Sequence, residues 1–134
     1  MIVIDANILI YSLIKCEQSP LIQKVRAKDA DWRTTALCLH ESLNVLTTYQ
    51  RREVLTRAQC RTLLRHADSF IKVAQCEVEM DAALAVAAEY AITGYDAQYV
   101  ALAQSLNVPL ITEDRKLQKA VPGIAFSMQE FLAR

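Results

Sequence analysis

The chain predicts an α/β fold, a three-layer α/β/α arrangement around a parallel, doubly wound sheet of four or five strands. Three observations carry this expectation. Residues 1–11 open with the unbroken β-branched run Ile2-Val3-Ile4, which has no polar alternation and so suits a strand buried on both faces. Short strand-like runs then alternate with helix-length segments, which implies βαβ units joined by right-handed crossovers. Finally, 134 residues that are 53% hydrophobic, with two glycines and three prolines, can bury a sizeable core. They show no linker, repeat or low-complexity stretch, so residues 1–134 are expected to form one domain.

The first strand ends at Asp5. A carboxylate beside buried aliphatics is costly unless the chain is leaving the core there, and in open α/β sheets the carboxyl ends of strands border the ligand crevice. Asn7 would face the same crevice, and Ile8 to Tyr11 resume an apolar pattern suited to a helix. Asp5 could equally cap that helix through its side chain.

Ser19-Pro20 then suits a helix start, with Leu21, Ile22 and Val25 on the apolar face and an end near Lys28. Trp32-Arg33-Thr34-Thr35 reads as a short second strand. Residues 36–53 read as a long helix with Leu39, Leu43 and Leu46 on one side and Glu41, Asn44 and Thr48 on another. Thr56 caps the next helix, expected to run to about Ser69, with Leu63, Leu64 and Ile71 as core contacts and Arg57, Arg61 and Arg65 recurring every four residues. Residues 73–78 are a strand candidate and 80–92 an alanine-rich helix, which Thr93-Gly94-Tyr95 breaks. Asp96 therefore falls at or near the start of a helix over 97–106. Residues 108–112 form a buried strand whose proline lies near its beginning, where a missing N–H is tolerable. Glu113-Asp114-Arg115 leads into a short helix, Ala125-Phe126 reads as an edge strand, and Ser127 with Glu130 forms a capping box for the last helix.

Composition removes several classes of function. Fifteen basic and fifteen acidic residues cancel, so the chain lacks the basic excess of a stoichiometric nucleic-acid coat, although a local patch is compatible with it. Cys16, Cys38, Cys60 and Cys76 contain no C-x-x-C pair, which argues against a zinc ribbon or a thioredoxin-type site and for reduced thiols. Two glycines preclude a phosphate-binding loop, a dinucleotide fingerprint and a G-x-S-x-G elbow. His40-Glu41 lacks the second histidine of a zinc protease because Asn44 stands in its place, and Cys38-x-His40 has no second ligand pair. No basic region precedes the first apolar run, which Asp5 interrupts, and no stretch is long enough to span a bilayer. A cytoplasmic protein without membrane contact is expected.

Four acids remain: Asp5, Glu41, Asp96 and Asp114. Strand ends of one sense share one edge of a parallel sheet, so Asp5 and Asp114 can converge there. Asp96 can join them if its helix begins near the crevice. Two carboxylates about 5 Å apart repel by roughly 3 kcal/mol at an effective dielectric of 20. Protonation relieves that repulsion, and so does a hard divalent cation with oxygen ligands, Mg²⁺ or Mn²⁺.

Asp5-Ala6-Asn7 after a buried strand, Glu41-Ser42-Leu43-Asn44-Val45-Leu46, Asp96-Ala97-Gln98-Tyr99-Val100-Ala101-Leu102-Ala103 and Leu110-Ile111-Thr112-Glu113-Asp114-Arg115 together resemble the successive motifs of PIN-domain nucleases, most closely the VapC-type toxins of toxin–antitoxin pairs. The resemblance implies that Asp5, Glu41, Asp96 and Asp114 hold Mg²⁺ or Mn²⁺, and that Asn7 and Thr112 orient ligands or substrate. It implies metal-assisted, in-line hydrolysis of RNA that leaves a 5′-phosphate and a 3′-hydroxyl, restraint by a small antitoxin, and homodimerisation. By sequence, Lys15, Arg115, Lys116 and Lys119 lie near the expected crevice, and Arg115 is a candidate substrate-orienting residue. Two rivals stay open. A phosphoacceptor receiver domain has similar length and an acidic pocket, although Asp5 is followed by Ala6 rather than a second acid. A catalytically silent PIN-like module would act by partner binding alone.

Overall fold

A computed structural model describes residues 1–134. Four short strands, β1 (Ile2–Ile4), β2 (Trp32–Arg33), β3 (Leu110–Ile111) and β4 (Ala125–Phe126), form one all-parallel sheet in the order β2-β1-β3-β4. Val3 pairs with Arg33 on one side and with Leu110 on the other. Ile2, Val3 and Ile4 are completely buried, as a central strand covered on both faces requires.

Eight helices connect the strands: α1 (Ala6–Leu13), α2 (Ser19–Lys28), α3 (Leu37–Arg51), α4 (Arg57–Ala74), α5 (Met80–Tyr90), α6 (Gly94–Leu106), α7 (Arg115–Ala120) and α8 (Met128–Leu132). They cover the sheet as two groups. α5 packs on α6, which lies against β1 and β3, while α1 to α4 pack with one another and α2 meets α8. The result is the three-layer α/β/α architecture with a doubly wound parallel sheet. Both expected N-terminal caps form reciprocal capping boxes, Thr56 with Gln59 and Ser127 with Glu130.

Three expectations need correction. Residues 73–78 do not form a strand: α4 keeps its helical period through the buried residues Ile71 and Ala74, and only an isolated parallel bridge, Thr34 to Gln75, extends the sheet. The sheet therefore has four strands. In α3 the inward face is not Leu39, Leu43 and Leu46 but Cys38, Ser42 and Leu46, and Leu43 is 52% exposed. A small apolar cluster of Ile10, Leu46, Cys60 and Leu63 locks α3 against α1 and α4 in this rotation, which turns Glu41 and Val45 toward the carboxyl edge of the sheet. Finally, α6 starts at Gly94 with Thr93 as its cap, whose hydroxyl accepts the Asp96 N–H at 3.0 Å. Asp96 is thus near the helix start as expected, inside a first turn that begins three residues earlier than expected.

Candidate functional site

The carboxyl ends of the adjacent strands β1 and β3 bring residues from opposite ends of the chain together. Asp5 leaves β1 and caps α1, its Oδ1 accepting the Ile8 N–H at 3.1 Å. Its Oδ2 accepts the Thr112 hydroxyl at 2.5 Å. That same hydroxyl accepts the Asp114 N–H at 3.1 Å, so the fully buried Thr112 ties the two strand ends through a single oxygen. Asp114 caps α7 with Oδ1, which accepts the N–H groups of Lys116 and Leu117, and its Oδ2 has no protein partner. In both aspartates the capping role occupies one oxygen; the other is held by Thr112 in Asp5 and is without a protein partner in Asp114.

The other two acids arrive on helices. A helix leading into a parallel strand must descend from the carboxyl edge of the sheet, so the first turn of α6, with Asp96, stands at the crevice. The Asp96 carboxylate has only the Thr93 hydroxyl, at the helix cap, as a hydrogen-bonding neighbour. Three residues on, Tyr99 is 1% exposed and donates its hydroxyl to Glu41 Oε1 at 2.5 Å. Burial, then Cys38 and Glu41, raise the Tyr99 phenol far above its ordinary range, so it stays protonated and acts only as a donor to the carboxylate.

Asp5, Asn7, Glu41, Asp96 and Asp114 all line one cleft of about 570 Å³, together with His40, Asn44, Tyr95 and Tyr99. Burial is the first cause of a raised carboxyl pKa in three of them: Asp5 is pushed up to about 6, and Glu41 and Asp96 rise as well. Like-charge repulsion adds to it around a closed ring, in which Asp5 feels Glu41 and Asp114, Glu41 feels Asp96, and Asp96 feels Asp114. No lysine or arginine lines the cleft. Thr112 lies beneath the cleft and acts on it through Asp5, whereas Arg115 is exposed at the start of α7 and does not line it. Lys15, Lys116 and Lys119 are likewise outside the lining.

The donor set suits a hard divalent cation: oxygen only, with free oxygens on Glu41, Asp96 and Asp114 and a surplus of negative charge. The four acids share the cleft, but no three stand close enough to form a metal cluster by themselves. Mg²⁺ sites commonly use one or two carboxylates, completed by water and substrate phosphate, so the set fits. Zinc and thiol chemistry do not fit. Cys38 is fully buried, burial pushes its thiol up to about 11, and His40 is exposed two helical positions away.

Tyr99 was not among the functional residues expected from sequence. Its only sequence signal is the spacing Asp96-x-x-Tyr99, which puts both residues on one helix face.

Against known proteins, the PIN domain family matches residues 2–122. Ribonuclease VapC3 of Pyrobaculum aerophilum is 29% identical over 127 residues, spanning 92% of this chain and 96% of that protein. The crystal structure of PAE2754 from the same organism aligns with a TM-score of 0.74 at 27% identity, covering 99% of this chain and 94% of that one. With these matches running almost the full length of the sequence and the four acids gathered at the carboxyl edge of the sheet, the chain belongs to the PIN domain family.

Proposed function

We propose that the protein is a Mg²⁺- or Mn²⁺-dependent endoribonuclease of the VapC type, a single PIN-like nuclease domain acting as the toxin of a toxin–antitoxin pair. The observation that carries this reading is one cleft lined by four carboxylates, in a chain similar to a ribonuclease over nearly its whole length.

Asp5, Glu41, Asp96 and Asp114 are the residues that would hold the cation, which when bound lowers the pKa of a water and neutralises charge on the scissile phosphate. Thr112 holds Asp5 and the Asp114 backbone in register. Tyr99 fixes the Glu41 carboxylate. Asp96, whose pKa burial and Asp114 raise and the Thr93 hydroxyl lowers in part, is suited to take a proton from the attacking water. Asn7, exposed at the cleft wall, and Arg115, exposed beside Asp114, are the proposed contacts for the substrate backbone. Hydrolysis would leave a 5′-phosphate and a 3′-hydroxyl. Partnership with an antitoxin, a homodimeric state and a cytoplasmic location belong to the same reading. No helix is long and apolar enough to cross a membrane.

The test is cleavage of structured RNA by purified protein with Mn²⁺, with Mg²⁺ and with EDTA. Cleavage should require metal and disappear in Asp114→Asn. Phosphorylation by acetyl phosphate without cleavage would favour a receiver domain, and metal-independent inertness in every assay would favour a silent binding module.

The Tyr99 contact makes a separate prediction. Tyr99→Phe keeps the ring and loses the donor, so calorimetric titration should show Mn²⁺ affinity weakened about 10-fold, at the lower end of what loss of an outer-shell partner costs. In a Glu41→Gln background the same change should have no further effect. Equal Mn²⁺ affinity with and without the hydroxyl would mean that Glu41 is oriented by something else.

A further inference from the structure

We infer that a single-stranded stretch of the substrate RNA leaves the cleft past His40 and runs along the arginine stripe of α4, with Arg61 and Arg65 on its phosphates. This rests on the ribonuclease reading and adds the surface that would supply its affinity.

Within a chain of zero net charge, residues 51–65 carry five arginines and one glutamate. Arg57, Arg61 and Arg65 recur every four residues along α4, a rise of about 6 Å per step, and all three are exposed. None of them pairs with an acid, although ion pairs form elsewhere on the molecule. Helix electrostatics do not explain them either. Arg57 opens α4 and no acid stands in its first turn, so positive charge is concentrated at the end of the helix where the dipole disfavours it. An external polyanion would relieve that.

The stripe is also connected to the cleft. Between α3 and α4 lies a groove of about 400 Å³ lined by Leu39, His40, Leu43, Leu64, Arg65 and Asp68. His40 lines both this groove and the acidic cleft, so the two adjoin at that exposed side chain. The one acid in the groove, Asp68, is neutralised by Lys72 at 3.0 Å. Leu43, exposed despite its apolar side chain, joins Leu39 and Leu64 in an apolar floor suited to unstacked bases. A cationic groove that tracks the backbone is the usual construction for holding a single strand; here leucines, rather than the usual aromatic rings, would face the bases. The cleft has no lining lysine or arginine, so apart from the scissile phosphate at a bound cation, affinity for the RNA backbone is expected from cations beside it.

The test measures binding of a fluorescein-labelled, single-stranded RNA by anisotropy between about 50 and 200 mM salt, with Asp5→Asn as the parent so that the RNA stays intact. Replacing Arg61 and Arg65 by glutamine should weaken binding and make the slope of log K against log salt shallower by about 1.4, or 0.7 per lost single-strand phosphate contact. The charge-matched control, Lys24→Gln with Arg26→Gln on α2, lines neither cavity and should leave the slope in place. Slopes that are the same in parent and arginine variant, or that fall equally in the control, overturn the inference. An unchanged slope combined with lost binding to a protein partner would assign the stripe to that partner and overturn it as well. Absence of metal-dependent cleavage by wild-type protein is a separate result and would remove the ribonuclease reading instead.

Discussion

Asp5→Asn is expected to lower RNA cleavage at least about a thousandfold, equivalent to roughly 4 kcal/mol of lost transition-state stabilisation. The same change should flatten the pH dependence of the metal-free protein's stability near neutral pH. In the folded chain burial pushes Asp5 up to about 6, against an ordinary value of 3.8. Between those two values the folded state binds more protons than the unfolded one, so stability falls as pH rises through the window. The ionised carboxylate then costs up to about 3 kcal/mol, and the partly buried carboxyls of Glu41 and Asp96, also raised, act in the same direction. Asparagine removes the Asp5 share of the cost and keeps the cap on α1 through its side-chain oxygen, but it places an NH2 donor where Oδ2 accepted the buried Thr112 hydroxyl, which offsets about 1–3 kcal/mol of the gain, so the net effect is read from the pH dependence. Thermal melts in EDTA should therefore show a wild-type midpoint that declines from about pH 4 to 7 and a flatter profile in the variant. Mn²⁺ should raise the wild-type midpoint far more than the variant's, since only a cation bound to the folded state stabilises it. A variant that cuts RNA at the wild-type rate would remove Asp5 from the chemistry. A wild-type midpoint that does not decline between about pH 4 and 7, or a variant that declines equally, would show that the charge is not a burden on the fold.

Much of this arrangement was legible in the sequence, for reasons that also mark where legibility stopped. A continuous β-branched run identifies a central parallel strand. Once β1 and the strand before Asp114 are parallel neighbours, both their carboxyl ends must share an edge. Asp96 looked harder to place than it was, because the connection into β3 requires α6 to start at that same edge. Local propensity misled at residues 73–78, where the strand-like valine at position 73 is an 83% exposed residue near the end of α4. It misled again in α3, where leucine spacing pointed inward with Leu43, but packing of Leu46 against Ile10, Cys60 and Leu63 chose another rotation. Least visible were the hydroxyl contacts. Tyr99 and Glu41 are 58 residues apart, and Thr112 and Asp5 are 107 apart, so neither pair leaves a periodic trace. Asp5 does cap α1, as its position after the strand allowed, through Oδ1, while its Oδ2 is engaged by Thr112.

Thr112→Val is expected to damage both stability and catalysis, although the side chain never reaches the cleft surface. Valine matches threonine in shape but not in hydrogen bonding. The Thr112 hydroxyl is completely buried, donates to Asp5 Oδ2 and accepts from the Asp114 N–H, so its loss leaves a carboxylate oxygen and a backbone donor without their partner. An unsatisfied polar group of this kind costs about 1–3 kcal/mol, which should appear as a clear fall in melting temperature. The effect on function has its own signature. The Thr112 hydrogen bond is the largest influence lowering the Asp5 pKa, so valine should move that pKa further up. The acidic limb of the pH–rate profile should then shift to higher pH, and cleavage near neutrality should fall about 10- to 100-fold, as for other partners that orient a ligand carboxylate. Thr112→Ser, which restores the hydroxyl without the methyl group, should recover most of the activity and return the limb to its wild-type position. If valine lowers the melting temperature but leaves the acidic limb unmoved, Thr112 serves the fold alone, and Asp5 is held in place by its cap to α1.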